Sequence, residues 1–237
     1  MNQLPLPFDH APRFGLDDFM PSASNAVALG FVARWPDWPD GVLLLTGPEG
    51  SGKSHLARIW AARADAAVLT PEDLAGDLDA LMRRNAVIED ADRSGVPEAA
   101  LFHALNLVRE RGLSLVVTAR DAPPVWPIAT PDLLSRLRLA PSVAIEPADD
   151  ALMRAVLVKL FADRQLAVDA ALVDYLATRL DRSLGAARQA VMALDRAGLD
   201  AGRRIGRSLA ASLFGAPRAD GDDGLRRHLP DTGAAET

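Results

Sequence analysis

Apolar and polar positions along this chain follow two rhythms. Between residues 42 and 147, short β-rich apolar runs at Val42–Thr46, 66–69, 86–89, Leu115–Thr118 and 143–145 alternate with longer segments of helical period. The helical period predicts helices at Lys53–Ala64, 72–84, Glu98–Arg111 and, more briefly, 131–137. Pro97 suits the first position of its helix, where a missing N–H costs nothing. Such alternation predicts an α/β fold, a parallel sheet with helices on both faces. After Pro147 the strand signal stops. Helices are expected at 151–164, 170–180, 184–197 and 206–213, with Asp149, Asp169 and Ser183 as N-caps. They predict a small all-helical lid over 148–214. Residues 1–12 read as an extended tail, since Pro5, Pro7 and Pro12 forbid a regular helix. Residues 215–237 carry few apolar anchors and read as disordered.

Composition narrows the class. Of 237 residues, 49% are hydrophobic and 24% charged, which suits a globular chain with a sizeable core. No apolar run approaches the length of a bilayer span, and MNQLPLPFDH lacks the basic leader of a secretory signal. The absence of cysteine excludes disulfides and thiolate metal sites, and a cytoplasmic setting is expected. Acidic residues outnumber basic ones 32 to 26, so general attraction to nucleic-acid backbones is not the expected mode of action.

The sharpest motif is Gly47-Pro48-Glu49-Gly50-Ser51-Gly52-Lys53-Ser54. It fits G-x-x-x-x-G-K-[ST] and lies between a strand pattern and a helical one, the context this motif requires. Its glycines let backbone N–H groups curl around a phosphate at a helix N-terminus, whose dipole favours anions. Lys53 is placed for β- and γ-phosphates and Ser54 for Mg2+, so ADP or ATP with Mg2+ is the expected ligand. The plain alternative is a glycine-rich turn without a ligand. Against it, one of the two lysines in the chain, Lys53 and Lys159, fills the required slot.

Two strand ends add chemistry. Asn85-Ala86-Val87-Ile88-Glu89-Asp90 closes an apolar run with two carboxylates. Glu89 is the candidate Mg2+ ligand and Asp90 the candidate base or water-positioner, with Asp92 as a further carboxylate. The competing reading is a strand that runs into a solvated acidic turn. Thr118 ends its strand in a hydroxyl. It either terminates the strand by a hydrogen bond or, in an ATPase with an extra strand between the two motif strands, reaches the γ-phosphate or water.

Several segments together resemble the AAA+ domain of the bacterial replication initiator DnaA, over about residues 14–214. The run from Asp18 to Ala26 is similar to that family's opening segment, which implies Asn25 beside the adenine. Lys53-Ser54-His55-Leu56 continues the phosphate loop as in the family and brings His55 to the nucleotide. Val116-Val117-Thr118 with Pro123-Pro124 is similar to its sensor 1 strand and turn. Leu134-Ser135-Arg136-Leu137 resembles its arginine-finger motif, which implies that Arg136 acts in trans on a neighbour's γ-phosphate. Residues 185–194 resemble the sensor 2 helix and imply Arg188 over the nucleotide. On this resemblance 13–147 is the nucleotide-binding domain and 148–214 its lid.

DnaA carries a helix-turn-helix domain after its lid, and 215–237 is too short for one. The narrower resemblance is therefore to DnaA-related regulators of the Hda type. It implies a negative regulator of replication initiation that stimulates hydrolysis of the ATP bound to DnaA. Gln3-Leu4-Pro5-Leu6-Pro7-Phe8 resembles the hexapeptide by which such proteins bind the DNA polymerase β sliding clamp, with Gln3, Leu4, Leu6 and Phe8 as contacts. The implied partners are thus the clamp and DnaA, with self-association open and no sequence-specific DNA binding. Three departures stand out. Glu89 replaces an aspartate of DnaA, Asp90 stands where most AAA+ proteins have glutamate, and Arg120 stands where DnaA has an acidic sensor residue. They lead us to expect firm nucleotide binding with slow hydrolysis. A helicase loader or clamp-loader-like ATPase would share the AAA+ core. A small-molecule P-loop kinase would explain the loop and the carboxylates but leave the tail, Arg136 and the lid without a role.

Overall fold

Val42–Thr46 is buried at all five positions, the pattern of a strand covered on both faces. In the computed structural model, which describes residues 19–202 and 204–215, this strand (β1) lies inside a five-stranded parallel sheet. The other strands are β2 (Ala67–Leu69), β3 (Ala86–Ile88), β4 (Leu115–Thr118) and β5 (Ser142–Ala144), in the order β2-β3-β4-β1-β5. β4 therefore separates β1 from β3, with Val42 beside Leu115 and Ala86 beside Leu115 on its other edge.

Period-two alternation splits these apolar residues between two layers. Val42, Leu44, Ile88, Leu115 and Val117 face α4 (Glu98–Arg111) and α5 (Pro131–Leu139), meeting Leu101, Leu105, Val108, Leu133 and Leu137. Leu43, Leu45, Val87, Val116 and Val143 face α1 (Ala26–Ala33) and α2 (Lys53–Ala64), meeting Val32, Leu56, Ala57 and Trp60.

A third, all-helical cluster follows β5. It joins α6 (Asp150–Asp163), α7 (Ala170–Ala177), α8 (Leu184–Ala201) and α9 (Arg207–Phe214) through Met153, Leu157, Phe161, Leu176, Val191, Leu194 and Ala210. Three of these helices begin at a side-chain cap. The N–H groups of Leu152, Leu172 and Ala186 donate to Asp149, Asp169 and Ser183 at 2.7, 2.8 and 3.3 Å. No described helix is long and apolar enough to cross a membrane.

The structure departs from the pattern in several places. The helix expected over 72–84 is broken into a 3-10 turn at Asp73–Ala75 and one short turn, α3 (Leu78–Leu81). Gly76 is extended there, and Asp77 caps the second turn by accepting from the Ala80 N–H, so glycine and aspartate win over the apolar spacing. α1 was not foreseen, because AVALGFVA has no polar face to show a helical period. Pro97 is the N-cap rather than the first helical residue. Glu89 lies just beyond the end of β3.

Trp60 is fully buried between Trp35 and Trp38, with ring centroids 6.1 and 5.3 Å away. The indole N–H groups of Trp35 and Trp38 donate to Ser114 Oγ and the Phe31 carbonyl, whereas that of Trp60 has no acceptor. Trp60→Ala should therefore cost about 3–5 kcal/mol in urea unfolding. Trp60→Phe, which also removes the unsatisfied donor, should cost only about 1 kcal/mol.

Candidate functional site

The loop from Gly47 to Gly52 joins the C-terminal end of β1 to the start of α2, and its shape depends on left-handed glycines. Gly47, Gly50 and Gly52 have φ of 141°, 74° and 109°. A Cβ on Gly47 would run into the Ile145 carbonyl, and one on Gly50 into the Ser183 hydroxyl. Two backbone bonds fix the loop to its surroundings. The Gly47 N–H donates to the Arg120 carbonyl at 3.0 Å, and the Leu184 N–H, at the start of α8, donates to the Gly50 carbonyl at 2.9 Å.

The loop is electropositive and polar inside. α2 opens at Gly52 with no side-chain cap and no acidic residue in its first turn, so its amide dipole is left for an anion. Ser51 Oγ is buried with no hydrogen-bond partner. Lys53 is buried, and its ammonium donates to the carbonyls of Gly47 and Pro48 at 2.7 and 2.9 Å. Burial pulls its pKa below the usual lysine range, while the carboxylates of Asp90 and Asp92 oppose that shift. An orphaned hydroxyl, a buried cation and a helix N-terminus around a loop that excludes Cβ atoms fit a diphosphate. Ser54 follows Lys53 in the first turn of α2, half-buried, and Pro48 and Glu49 form the exposed rim.

The neighbouring strand ends are more tightly wired than their sequence implied. Thr118 is fully buried and accepts the Asp90 N–H at 3.0 Å, joining the end of β4 to the turn after β3. Asp90 itself has a left-handed backbone, φ 51°. Asp92 Oδ2 accepts the N–H groups of Arg120 and Asp121 at 2.7 and 3.3 Å, so this carboxylate shapes the turn after β4. Arg120 then reaches back to Glu49 on the loop rim, Nη2 to Oε2 at 2.9 Å.

The carboxylate of Glu89, expected as the metal ligand, pairs with Arg58 of α2, Nε to Oε1 at 3.3 Å and Nη2 to Oε2 at 3.5 Å. The extra methylene of glutamate carries the charge across to the helix. Asn25, expected beside the adenine, is buried, and its amide accepts the Ser22 N–H and donates to the Met20 carbonyl, both at 2.9 Å, in the turn before α1. His55 packs edge-on against Phe19, with centroids 5.5 Å apart.

Arg188 is exposed in the second turn of α8, the helix whose first N–H holds Gly50. Arg136 lies elsewhere. It projects from α5 over the Phe102 ring, 4.5 Å from its centroid, and donates to the Asn106 side-chain carbonyl. It lines a groove with Asp40, Val42, Arg109 and Leu139, at the opening end of β1. Gln3, Leu4, Leu6 and Phe8 lie outside the described residues. Sequence reading missed Arg58, Phe102 and Asn106, and gave Ser183 only as a helix cap. Asn106 leaves a trace as a polar residue inside the apolar run of α4.

No family model matches the chain. It is 30% identical over 172 residues to the chromosomal replication initiator protein DnaA of Caulobacter sp. (strain K31), a match covering 61% of this chain and 35% of that protein. The chain thus spans about a third of that relative's length. Domain III of the Thermotoga maritima replication initiation protein DnaA superposes with TM-score 0.74 at 19% identity, covering 86% of this chain and 96% of that one. The AMPPCP-bound DnaA of Aquifex aeolicus gives 0.66 at 16%, covering 80% and 67%. The RuvB Holliday junction branch migration motor of Thermotoga maritima gives 0.63 at 17%, covering 84% and 70%. The parallel sheet, the phosphate-loop geometry and the helical cluster behind it constitute a DnaA-like AAA+ fold.

Proposed function

We propose that this chain is a nucleotide-bound regulator of the Hda type, which uses Arg136 to promote hydrolysis of the ATP carried by DnaA. The observation that carries the proposal is the position of Arg136. It lines a groove with Asp40 and Val42, where β1 begins, whereas the chain's own phosphate loop follows Thr46, where β1 ends. Five residues of strand separate the two by roughly 13 Å. The guanidinium is therefore remote from the chain's own phosphates and suited to those of another molecule. Phe102 and Asn106 hold it in a set orientation, and its remaining N–H groups can still meet a phosphate. A preorganised cation at the developing charge of phosphoryl transfer is worth orders of magnitude in rate.

The chain's own site would hold ADP or ATP as a structural ligand. A bound nucleotide supplies negative charge between Lys53 and the N-terminus of α2, and Ser54 is the residue placed to meet Mg2+. Gly50 shares a hydrogen bond with Leu184 and lies against Ser183. The state of the loop is thereby coupled to α8, which carries Arg188. AMPPCP in the Aquifex DnaA structure supports an adenine nucleotide here. The tail from Gln3 to Phe8 would tether the body to the β sliding clamp and raise its local concentration near DnaA. On this reading the protein works in the cytoplasm, at the replisome.

Lys53→Ala should weaken ADP binding by about tenfold or more in calorimetric titration, and unchanged affinity would remove the loop assignment. Arg136→Ala should leave the fold and ADP affinity intact while abolishing stimulation of DnaA ATP hydrolysis in the presence of DNA-loaded clamp. Retained stimulation would refute the trans role. In a clamp pull-down, the Gln3→Ala/Phe8→Ala double variant should fail where the unaltered chain succeeds. A helicase loader or a clamp-loader-like ATPase would show no such dependence on the tail.

A further inference from the structure

Resting on the nucleotide reading above, we propose that Arg120 reads the third phosphate of a nucleoside triphosphate, and that Glu49 on the loop rim competes for the same guanidinium. Arg120 is bound to the phosphate loop twice. Its carbonyl accepts the Gly47 N–H at 3.0 Å, and its Nη2 donates to Glu49 Oε2 at 2.9 Å. Its own N–H donates to Asp92 Oδ2 at 2.7 Å, so the backbone that carries the side chain is fixed on both sides. The guanidinium lies within electrostatic reach of the Lys53 ammonium, as does the Glu49 carboxylate. Lys53 itself is held by the carbonyls of Gly47 and Pro48, the residues just before Glu49. Both cations therefore stand at one mouth of the loop. Thr118, on the strand that leads to Arg120, is fully buried, and its hydroxyl oxygen already takes the Asp90 N–H at 3.0 Å.

The charges around this mouth are unequal. Lys53 and Arg120 face the carboxylates of Asp90, Asp92 and Glu49. Asp92 is committed to the backbone of Arg120 and Asp121, whereas Glu49 reaches across the rim to the Arg120 side chain. The two side chains of this pair are 62% and 83% exposed. An ion pair so open is screened and weak, so exchanging its carboxylate for a phosphate costs little. A terminal phosphate carries more charge than a carboxylate and offers three oxygens to the planar fork of arginine. A diphosphate engages Lys53, the α2 amides and the left-handed loop, and leaves Arg120 with Glu49. A third phosphate brings its charge beside the Glu49 carboxylate, and transfer of Arg120 to it offsets that repulsion. The pair thus weights the site toward the diphosphate without closing it to the triphosphate.

The test is a calorimetric titration of the full chain with ADP and with AMPPCP, whose third phosphate is not hydrolysed, both in excess Mg2+ and with thermal melts to verify folding. The quantity read is the ratio of the two affinities. Glu49→Gln should shift it toward AMPPCP by about fivefold, and Arg120→Met should shift it toward ADP by about fivefold. In the double variant the ratio should stay within about twofold of Arg120→Met alone. The turn bonds of Arg120 run through its backbone and survive loss of the exposed side chain. If Arg120→Met nevertheless fails to fold, Arg120→Gln takes its place. The inference is overturned if Arg120→Met weakens both ligands equally, or if Glu49→Gln leaves the ratio unchanged. It is equally overturned if the gain from Glu49→Gln persists without Arg120, because Glu49 then acts as a plain charge. A chain that binds neither ligand refutes the phosphate-loop reading itself, whereas ADP binding with an unmoved ratio refutes this inference alone.

Discussion

The constraint on which the rest of the structure depends is steric: at Gly47 and Gly50 there is no room for a side chain. Gly47 lies against the carbonyl of Ile145, just beyond β5, and Gly50 lies against Ser183, the cap of α8. One short loop is thereby held against the sheet edge on one side and the helical cluster on the other. The hydrogen bonds from Gly47 to Arg120 and from Leu184 to Gly50 complete this arrangement. The loop is thus tied to the start of α8 both by a backbone hydrogen bond and by the Ser183 side chain.

Charge is arranged around the loop with similar economy. Lys53 is buried and held by two loop carbonyls. Three carboxylates lie within electrostatic reach of it, and Arg120 opposes them. Asp92 fixes the turn that carries Arg120, and Arg120 reaches Glu49 on the loop rim. Arg58 and Glu89 form a second bridge, between α2 and the end of β3. Basic residues in this chain thus tie the elements of the site together. A guanidinium suits this task because its fork can hold both oxygens of a carboxylate.

Arg136 is governed by a different layer of the fold. Its setting comes from α4, through Phe102 and Asn106, and from the opening end of β1. The nucleotide cradle and the arginine therefore belong to opposite ends of one strand. The five-residue strand between them sets the spacing of the two.

The sequence by itself determined what depends on local chemistry. Continuous apolar runs specified β1 and β4, a periodic face specified α4, and Asp149, Asp169 and Ser183 marked their helices because a short polar side chain answers an unpaired N–H three residues on. The phosphate loop was equally legible, since its glycines, lysine and serine sit at a fixed spacing between a strand and a helix. The tertiary structure decided whatever depends on the reach of one side chain toward a distant element. Glu89 and Asp90 are adjacent in the sequence, yet one is drawn to Arg58 and the other is turned by a left-handed backbone beneath Thr118. The local bonds of Asn25 in the turn before α1 are not legible in the sequence, and α1 hides its helical period because AVALGFVA carries no polar residue. Local patterns encode the direction in which a chain folds, but the partner of a charged side chain is settled only when remote strands and helices come within a few ångströms.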